Sequence, residues 1–347
     1  MGYRFAVFVC VAIGLCRSAE AQPAPPSAAP WFEPQAITLS ARYRAVENSA
    51  GVVTNDQVQY KDVLRARFNF DRERRFGLNL GAFSGSSFIS SWDTTGIGTG
   101  DPNHDIFVKQ LYLSAIPATG VELQAGGLYI NRGESTEITT YDDDGFLMGE
   151  RVTLRRPDRT HFDELSFTRA AIGPASTPSV TARLDLFAHQ NYWQAQAVKR
   201  FGPIGASADV TDAAGARTVR AAMSLRLPRS WPLTVVRVEE YRRVTVQPAN
   251  GFAVVGERPL GRVRLQGGYA DIDRDYGGLN ADRLQRGRRV FAIAAIPIVR
   301  ALTAQLFATR AFAAPYAISN RTRFDAVVTY DVLAALHDLR AGQQDRR

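Results

Sequence analysis

Apolar and polar residues alternate with a period of two along most of the chain after residue 36. In the first run Ile37, Leu39, Ala41 and Tyr43 alternate with polar side chains, which would put the two classes on opposite faces of a strand. Runs of this kind predict about 16 strands. They lie at 37–46, 60–70, 76–84, 106–116, 121–130, 160–171, 179–188, 192–201, 204–211, 216–227, 233–245, 252–257, 261–272, 288–296, 300–311 and 321–332.

The connections between the predicted strands are of two kinds, and the two kinds alternate along the chain. Short turns rich in proline and glycine, such as 117–120 and 228–232, alternate with connections that are often longer, such as 85–105 and 131–159. All connections of one kind therefore fall at one end of the sheet. This asymmetry indicates an all-β fold, a transmembrane antiparallel up-and-down β-barrel with short periplasmic turns and long extracellular loops.

The first residues have the pattern of a secretory signal peptide. Arg4 is followed by an apolar core at 5–15 and by Ala19-Glu20-Ala21, a typical cleavage site. The predicted organisation is a signal peptide at 1–21, a Pro/Ala-rich linker at 22–35, a barrel at 36–332 and a polar C-terminal extension at 333–347. Both cysteines, Cys10 and Cys16, precede the predicted cleavage site, so we expect an exported protein without a disulfide.

The signal peptide, the alternation and the placement of the loops together resemble the outer-membrane porins of Gram-negative bacteria. The resemblance extends over about residues 37–332. The resemblance implies a channel in the cell outer membrane for passive diffusion of small hydrophilic solutes. It also implies contact with outer-membrane lipid and lipopolysaccharide, insertion by the barrel-assembly machinery, and a homotrimer. One difference is the C-terminus, because porins typically end on an aromatic residue whereas this chain continues past Val332.

Charge adds detail to the expected channel. The formal net charge is +8, and the 42 Lys plus Arg residues include lysine only at Lys61, Lys109 and Lys199. The arginines are spread along the chain rather than clustered in a basic patch, which argues against nucleic-acid binding. On the polar faces of the strands they would line an aqueous lumen and give a mild preference for anions. The predicted basic wall consists of Arg42, Arg44, Arg65, Arg67, Arg220, Arg262 and Arg264.

The longest connection, 131–159, is the third long loop and is rich in acids. In porins the corresponding loop folds into the channel, so the resemblance implies a constriction that faces the arginines. The candidate constriction residues are Glu134, Glu137, Asp142, Asp143 and Asp144. The alternative is an acidic extracellular loop in water.

Three other functions compete with a channel. A structural or adhesin barrel with a plugged lumen would use the same wall. A membrane-embedded hydrolase is less favoured, because His161 and Asp163 share a strand face without a serine, and no G-x-S-x-G or H-E-x-x-H motif occurs. A calcium loop at Asp271, Asp273 and Asp275 departs from the EF-hand spacing. We therefore predict no catalytic residue, no metal site and no cofactor.

Overall fold

A computed structural model describes residues 30–88, 90–98, 105–135, 145–174, 176–273, 286–313 and 320–344. One antiparallel sheet contains 17 strands, of which Gly96–Ile97 is a two-residue strand within a loop. The other 16 form a closed barrel, as the alternation predicted. Among the described helices, none is both long enough and apolar enough to cross a membrane.

The barrel strands are numbered here in chain order. Their bounds are β1 Phe32–Glu47, β2 Val53–Asn69, β3 Phe76–Ser84, β4 Ile106–Ala118, β5 Val121–Leu128, β6 Leu147–Leu154, β7 Glu164–Ala171, β8 Tyr192–Phe201, β9 Ile204–Ala213, β10 Ala216–Arg226, β11 Val235–Arg243, β12 Ala249–Leu260, β13 Val263–Ile272, β14 Gly287–Val299, β15 Leu302–Ala313 and β16 Thr322–Asp331. Helical segments are α1 Pro157–Thr160, a 3-10 helix Thr181–Ala188 and α2 Val332–Gln344.

The two faces of the sheet differ as the alternation predicts. Large apolar side chains such as Leu39, Phe167 and Met223 are exposed on the outer face. Polar side chains at the alternate positions of the same strands, including Arg42, Thr168 and Ser224, are buried on the inner face. The barrel is therefore apolar outside and largely polar inside, which is the reverse of a water-soluble barrel.

The barrel closes where β1 pairs with β16 along the register Arg44↔Asp325. The Arg44 guanidinium donates to both carboxylate oxygens of Asp325, at 2.8 and 2.9 Å. Arg323 donates to the same carboxylate at 3.0 Å. The Asp325 side chain is only 4% exposed and that of Arg323 only 5%. Two cations therefore share one buried carboxylate at the closing seam, which is defined here as Arg44, Arg323 and Asp325.

The predicted number of strands is confirmed, but two of the predicted positions are wrong. Residues 179–188 alternate in polarity, yet Thr181–Ala188 forms a 3-10 helix in a connection and is not one of the barrel strands. Conversely, β6 lies inside the predicted loop 131–159, where Glu150 interrupts an otherwise regular alternation. In both cases the tertiary contacts of the segment, rather than the local alternation of its residues, determine its secondary structure. The two errors cancel in the count, and the third long loop shrinks to residues 129–146.

The four longest connections leave the same end of the barrel, called here the loop end. They include 85–105, 129–146 and 172–191, although the connections at 214–215 and 244–248 are short. The opposite end, the turn end, has tight turns such as 119–120 and 261–262. In the turn between β2 and β3, the Asp71 carboxylate accepts from the backbone N–H groups of Arg75 and Phe76, at 3.0 and 2.9 Å, and so holds the two ends of the turn together.

Both termini of the barrel differ in detail from the predicted boundaries. The strand β1 begins at Phe32, within the predicted linker, because the rings of Trp31 and Phe32 pack on Phe68 at centroid distances of 5.9 and 5.3 Å. After β16 the predicted C-terminal extension forms α2. The Asp331 carboxylate caps this helix by accepting from the backbone N–H of Ala334 at 3.0 Å.

We expect Asp325→Ala to destabilise the barrel by about 3–5 kcal/mol, because it removes the carboxylate from two buried cations. Asp338→Ala is the matched control, since it removes the exposed ion pair with Arg300, at 2.7 Å, and should cost less than about 1 kcal/mol. Unfolding in guanidinium, followed by tryptophan fluorescence of the detergent-solubilised protein, measures both. Equal stability of the two variants would contradict the role of the closing seam.

Candidate pore lining

Four of the predicted wall arginines lie on the inner face of the first two strands. Arg42 and Arg44 are on β1, and Arg65 and Arg67 are on β2, together with Lys61. Each pair is separated by one outward-facing residue, so neighbouring cations on one strand lie about 7 Å apart along it. In the pairing of β1 with β2, Arg42 lies opposite Gln59 and Arg65 lies opposite Ala36, so the two pairs are at different heights on the inner wall, with Lys61 between them. We call these five cations the basic wall.

Hydrogen bonds fix the orientation of these arginines. Arg42 donates to the side-chain oxygen of Gln59 at 2.6 and 3.1 Å. Arg67 donates to the side chain of Asn69 and to the backbone carbonyl of Arg74, both at 2.9 Å. Arg44 is held by Asp325 in the closing seam. These contacts keep the charged groups against the barrel wall.

The other three predicted wall arginines lie elsewhere. Arg220 is on the inner face of β10 but is buried against Asp209 at 2.7 Å, with both side chains 4% exposed. Arg262 lies in the turn between β12 and β13, outside either strand. Arg264 is exposed on β13, on the same strand face as Gln266. These residues do not form one group with the basic wall.

Residues 129–135, called here the inner segment, enter the barrel and cross the inner faces of four strands. The Asn131 side chain donates to Ser166 of β7 at 2.8 Å. The Asn131 carbonyl accepts from Gln194 of β8 at 2.8 Å and from Arg220 of β10 at 3.2 Å. The first part of the third long loop therefore lies inside the lumen.

Glu134, one of the candidate constriction residues, is bound to this wall. Its backbone N–H donates to Ser207 of β9 at 2.9 Å. Its carboxylate accepts from Ser224 of β10 at 2.7 Å and lies 3.7 Å from Arg200 of β8. The other candidates, Glu137, Asp142, Asp143 and Asp144, lie outside the described residues.

Several inward cations that the sequence analysis did not single out bind loop carbonyls at the loop end. The Lys109 ammonium binds the carbonyl of Ser87, and Arg151 binds that of Tyr129. Arg289 donates to the carbonyls of Arg286 and Asn320, at 2.8 and 3.2 Å. No local sequence signal separates these cations from the basic wall, because the loop carbonyls come from distant parts of the chain.

Arg183 belongs to the same class. The predicted strand would have put it in the lumen, but it lies in the 3-10 helix and is buried. Its guanidinium lies 4.1 Å from the ring centroid of Phe88 and 4.8 Å from that of Phe146. It also donates to the carbonyl of Thr177 at 2.8 Å. Arg183 thus joins three loops at the mouth of the barrel.

Part of the inner wall is apolar, which the sequence analysis missed. Tyr241, Ile272, Phe291 and Phe307 belong to a buried cluster on β11–β15. Phe291 shares its strand face with the buried Arg289, which places it inside. A signal exists in the sequence, because 290–298 is apolar at both parities, which is typical of a strand with two buried faces.

At the turn end, Arg155 links two inner-face carboxylates. It donates to Glu122 at 2.6 Å and to Glu164 at 2.9 Å. Burial alone would lower the pKa of Arg155, but the hydrogen bonds and charges of Glu122 and Glu164 outweigh it, so the pKa is raised. Glu122 and Glu164 therefore do not stand as free negative charges in the lumen, because both are paired with a cation.

The residues of the competing hypotheses make ordinary structural contacts. The Asp273 carboxylate accepts from the backbone N–H of Asn250 at 2.6 Å, and Asp271 pairs with Arg288 at 3.0 Å. Residues 274–285, which contain the rest of the calcium hypothesis, lie outside the described residues. Asp163, the partner suggested for His161, accepts from the backbone N–H of Arg200 at 2.7 Å.

Solved porin structures share the backbone architecture of this chain but little of its amino-acid sequence. A variant of the porin of Rh. blastica superposes with a TM-score of 0.54 at 12% identity, over 86% of this chain and 99% of that one. Salmonella typhi OmpF, solved in complex with daunomycin, gives 0.56 at 11% identity over 86% and 97%. The chain has the porin fold. No protein-family model and no curated protein sequence matches it.

The porin fold accounts for the barrel but not for the whole chain. The solved porins are matched over nearly their full length, whereas 86% of this chain is covered. At identities of 11–12% the similarity is one of backbone architecture. The similarity therefore assigns no role to individual inner-wall residues.

Gly133 tests whether the inner segment is bound to the wall. Its φ is +60°, and a Cβ there would lie 2.6 Å from the Ser207 hydroxyl. We expect Gly133→Val to release the segment, because valine disfavours this conformation and would collide with Ser207. Limited trypsin digestion of the folded barrel should then cleave after Arg132, which should resist in the parent.

The matched control for this variant is Gly202→Val. Gly202 has a similar φ of +57° but lies in an open turn with nothing within 4 Å of a Cβ. This control should leave the digestion pattern unchanged. Cleavage of both variants alike, or of neither, would contradict a wall-bound segment.

Proposed function

We propose that this protein is a channel in the bacterial outer membrane, through which small hydrophilic solutes diffuse passively. The observation that carries the proposal is the closed 16-strand barrel with apolar side chains outside and charged side chains inside. Its outer face suits hydrocarbon, where every backbone group must be paired within the protein. Barrels of this strand number are wide enough for an aqueous lumen.

Location in the outer membrane is supported by the predicted signal peptide at 1–21 and by the exposed apolar belt. Aromatic residues such as Tyr43, Phe201 and Tyr330 are exposed near strand ends, where barrels place their interfacial girdles. On this proposal the partners are outer-membrane lipid, lipopolysaccharide and the barrel-assembly machinery. A homotrimer is part of the proposal by analogy with porins.

We further propose a mild preference for anions, which rests on the basic wall. Lys61 and Arg65 are half-buried, so part of each cation faces the lumen. Among the inner-face acids, Asp209 is paired with Arg220, and Asp325 is shared by Arg44 and Arg323, which leaves one cation in excess at the closing seam. The potential in the lumen beside β1 and β2 is therefore positive.

A second candidate function is a structural barrel with a filled lumen. The buried apolar cluster on β11–β15 and the inner segment both occupy inner-wall positions that an open channel would leave to water. Planar-bilayer recording separates the two functions. Discrete conductance steps support the channel, whereas silence from a folded, heat-modifiable barrel supports the structural role.

The basic wall predicts a specific change in ion selectivity. The variant R42Q/R44Q/R65Q/R67Q should lower the ratio of anion to cation permeability by roughly twofold or more, because it removes four positive charges from the lumen. Reversal potentials in a salt gradient measure the ratio. Because Arg44 also belongs to the closing seam, R65Q/R67Q should show the same direction with less effect on stability.

The matched control removes four arginines from the outer face of the barrel. R217Q/R242Q/R288Q/R310Q changes the net charge equally, and all four side chains are exposed on strands. Selectivity should stay at the parent value. A selectivity that is unchanged in the inner-wall variant, or equally changed in the control, would exclude the proposed role of the basic wall.

For the third long loop we propose that its acids act in the pore. The inner segment supports this, because it carries the chain into the lumen just before residue 136. D142N/D143N/D144N should then alter conductance or ion selectivity, since three negative charges leave the pathway. Bilayer recording that detects neither change would assign these acids to an extracellular loop.

A further inference from the structure

The basic wall is interleaved with aromatic rings that come from three different connections and strands. The Arg42 guanidinium lies 4.3 Å from the ring centroid of Trp92, and the Lys61 ammonium lies 5.9 Å from the same ring. Further along β2, Arg65 lies 5.4 Å from the ring centroid of Phe83. These separations are within or near the range of cation–π contacts.

A third ring extends this arrangement across the lumen wall. Tyr129, the first residue after β5, lies 5.8 Å from the Arg65 guanidinium. Its ring packs edge-on against Tyr112 of β4 at 5.7 Å. Cations and rings therefore lie side by side. We call the group Arg42, Lys61, Arg65, Phe83, Trp92 and Tyr129 the cation–aromatic column.

Trp92 reaches the column because its loop folds back onto the barrel. Gly96–Ile97 pairs with Val58 and Gln59 of β2. The Gln59 side-chain amide also donates to the Trp92 carbonyl at 3.1 Å. One glutamine thus positions both Arg42, through its oxygen, and Trp92, through its nitrogen. This double contact makes the juxtaposition of the ring and the cations a built feature of the fold.

Surface remains available on the column. Lys61, Arg65, Trp92 and Tyr129 are half-buried, and they lie on the inner side of the wall. A solute in the lumen therefore meets positive charge beside aromatic surface at two places, at Lys61 with Trp92 and at Arg65 with Tyr129. Small inorganic anions use only the charge, whereas a molecule with both a carboxylate and an aromatic ring can use both.

From this juxtaposition we infer that the channel has a binding site for aromatic carboxylates at the cation–aromatic column. The inference rests on the proposed channel function and narrows its solute class. The carboxylate lies toward Lys61 while the ring of the solute packs on Trp92, and Arg65 with Tyr129 forms a second such pair further along β2. Binding is weak enough for release, as passage through a channel requires.

The test uses two probes of equal charge and similar size, sodium benzoate and sodium cyclohexanecarboxylate. Each is added to single channels that carry chloride in a planar bilayer, and the concentration that halves the conductance is measured. Benzoate should act at about a threefold lower concentration, which is the size of effect that aromatic pairing gives beyond burial. In Trp92→Leu the difference between the two concentrations should become smaller, and in Trp92→Leu/Tyr129→Leu the two concentrations should become equal.

Trp193→Leu is the matched control, because Trp193 lies outside, on the other face of β8 from the buried Gln194. It should keep the parent ratio. If Trp92→Leu gives no heat-modifiable barrel, Tyr129→Leu replaces it with the same expected loss. Equal block by both probes in the parent, or an unchanged ratio in the folded ring variants, overturns the inference.

The outcomes also separate this inference from the proposed function. An absence of conductance in the folded parent contradicts the channel itself, and the inferred site with it. Conductance with an anion preference but without discrimination between the two probes leaves the channel in place and rejects only the aromatic site.

Discussion

The structure depends on one constraint, the closure of a sheet whose two faces meet different surroundings. A strand edge in hydrocarbon would leave a row of backbone groups without partners, so an apolar outer face is compatible only with a closed ring of strands. Here the ring closes between β1 and β16, and Asp325 binds Arg44 and Arg323 at that seam. The polar interior follows, because closure encloses the face that alternation made polar.

The cations of the interior divide into two classes by what they bind. Lys109, Arg151 and Arg289 bind loop carbonyls and fix the connections at the loop end. Arg42, Lys61 and Arg65 lie against aromatic rings on the wall of the first two strands. Guanidinium groups serve both roles well, because they combine several fixed donors with a flat face that stacks. The arginine-rich composition therefore reflects loop attachment as well as charge in the lumen.

Much of the fold was predictable from sequence, and the candidate site was only partly so. Period-two alternation identifies most strands, since each meets apolar surroundings on one side only. It fails at 179–188, where Arg183 packs against the rings of two remote loops and donates to a carbonyl of its own connection. It also misses the inward Phe291 and Phe307, because a rule that assigns every apolar residue to the outer face cannot recognise a strand that is apolar on both. The positions of Arg42 and Arg65 followed from alternation, whereas Trp92 reaches them through a loop whose path no local pattern encodes.

The closing seam also has a consequence for the order of assembly. Arg44 and Asp325 are separated by 281 positions in the chain, whereas the other neighbouring barrel strands are joined by a single connection. Contacts between such distant residues carry the largest loop-closure entropy and form slowly. The pairing of β1 with β16 is therefore the one expected to form last. Until it forms, the edges of these two strands carry unpaired backbone groups, which is the kind of surface that promotes aggregation.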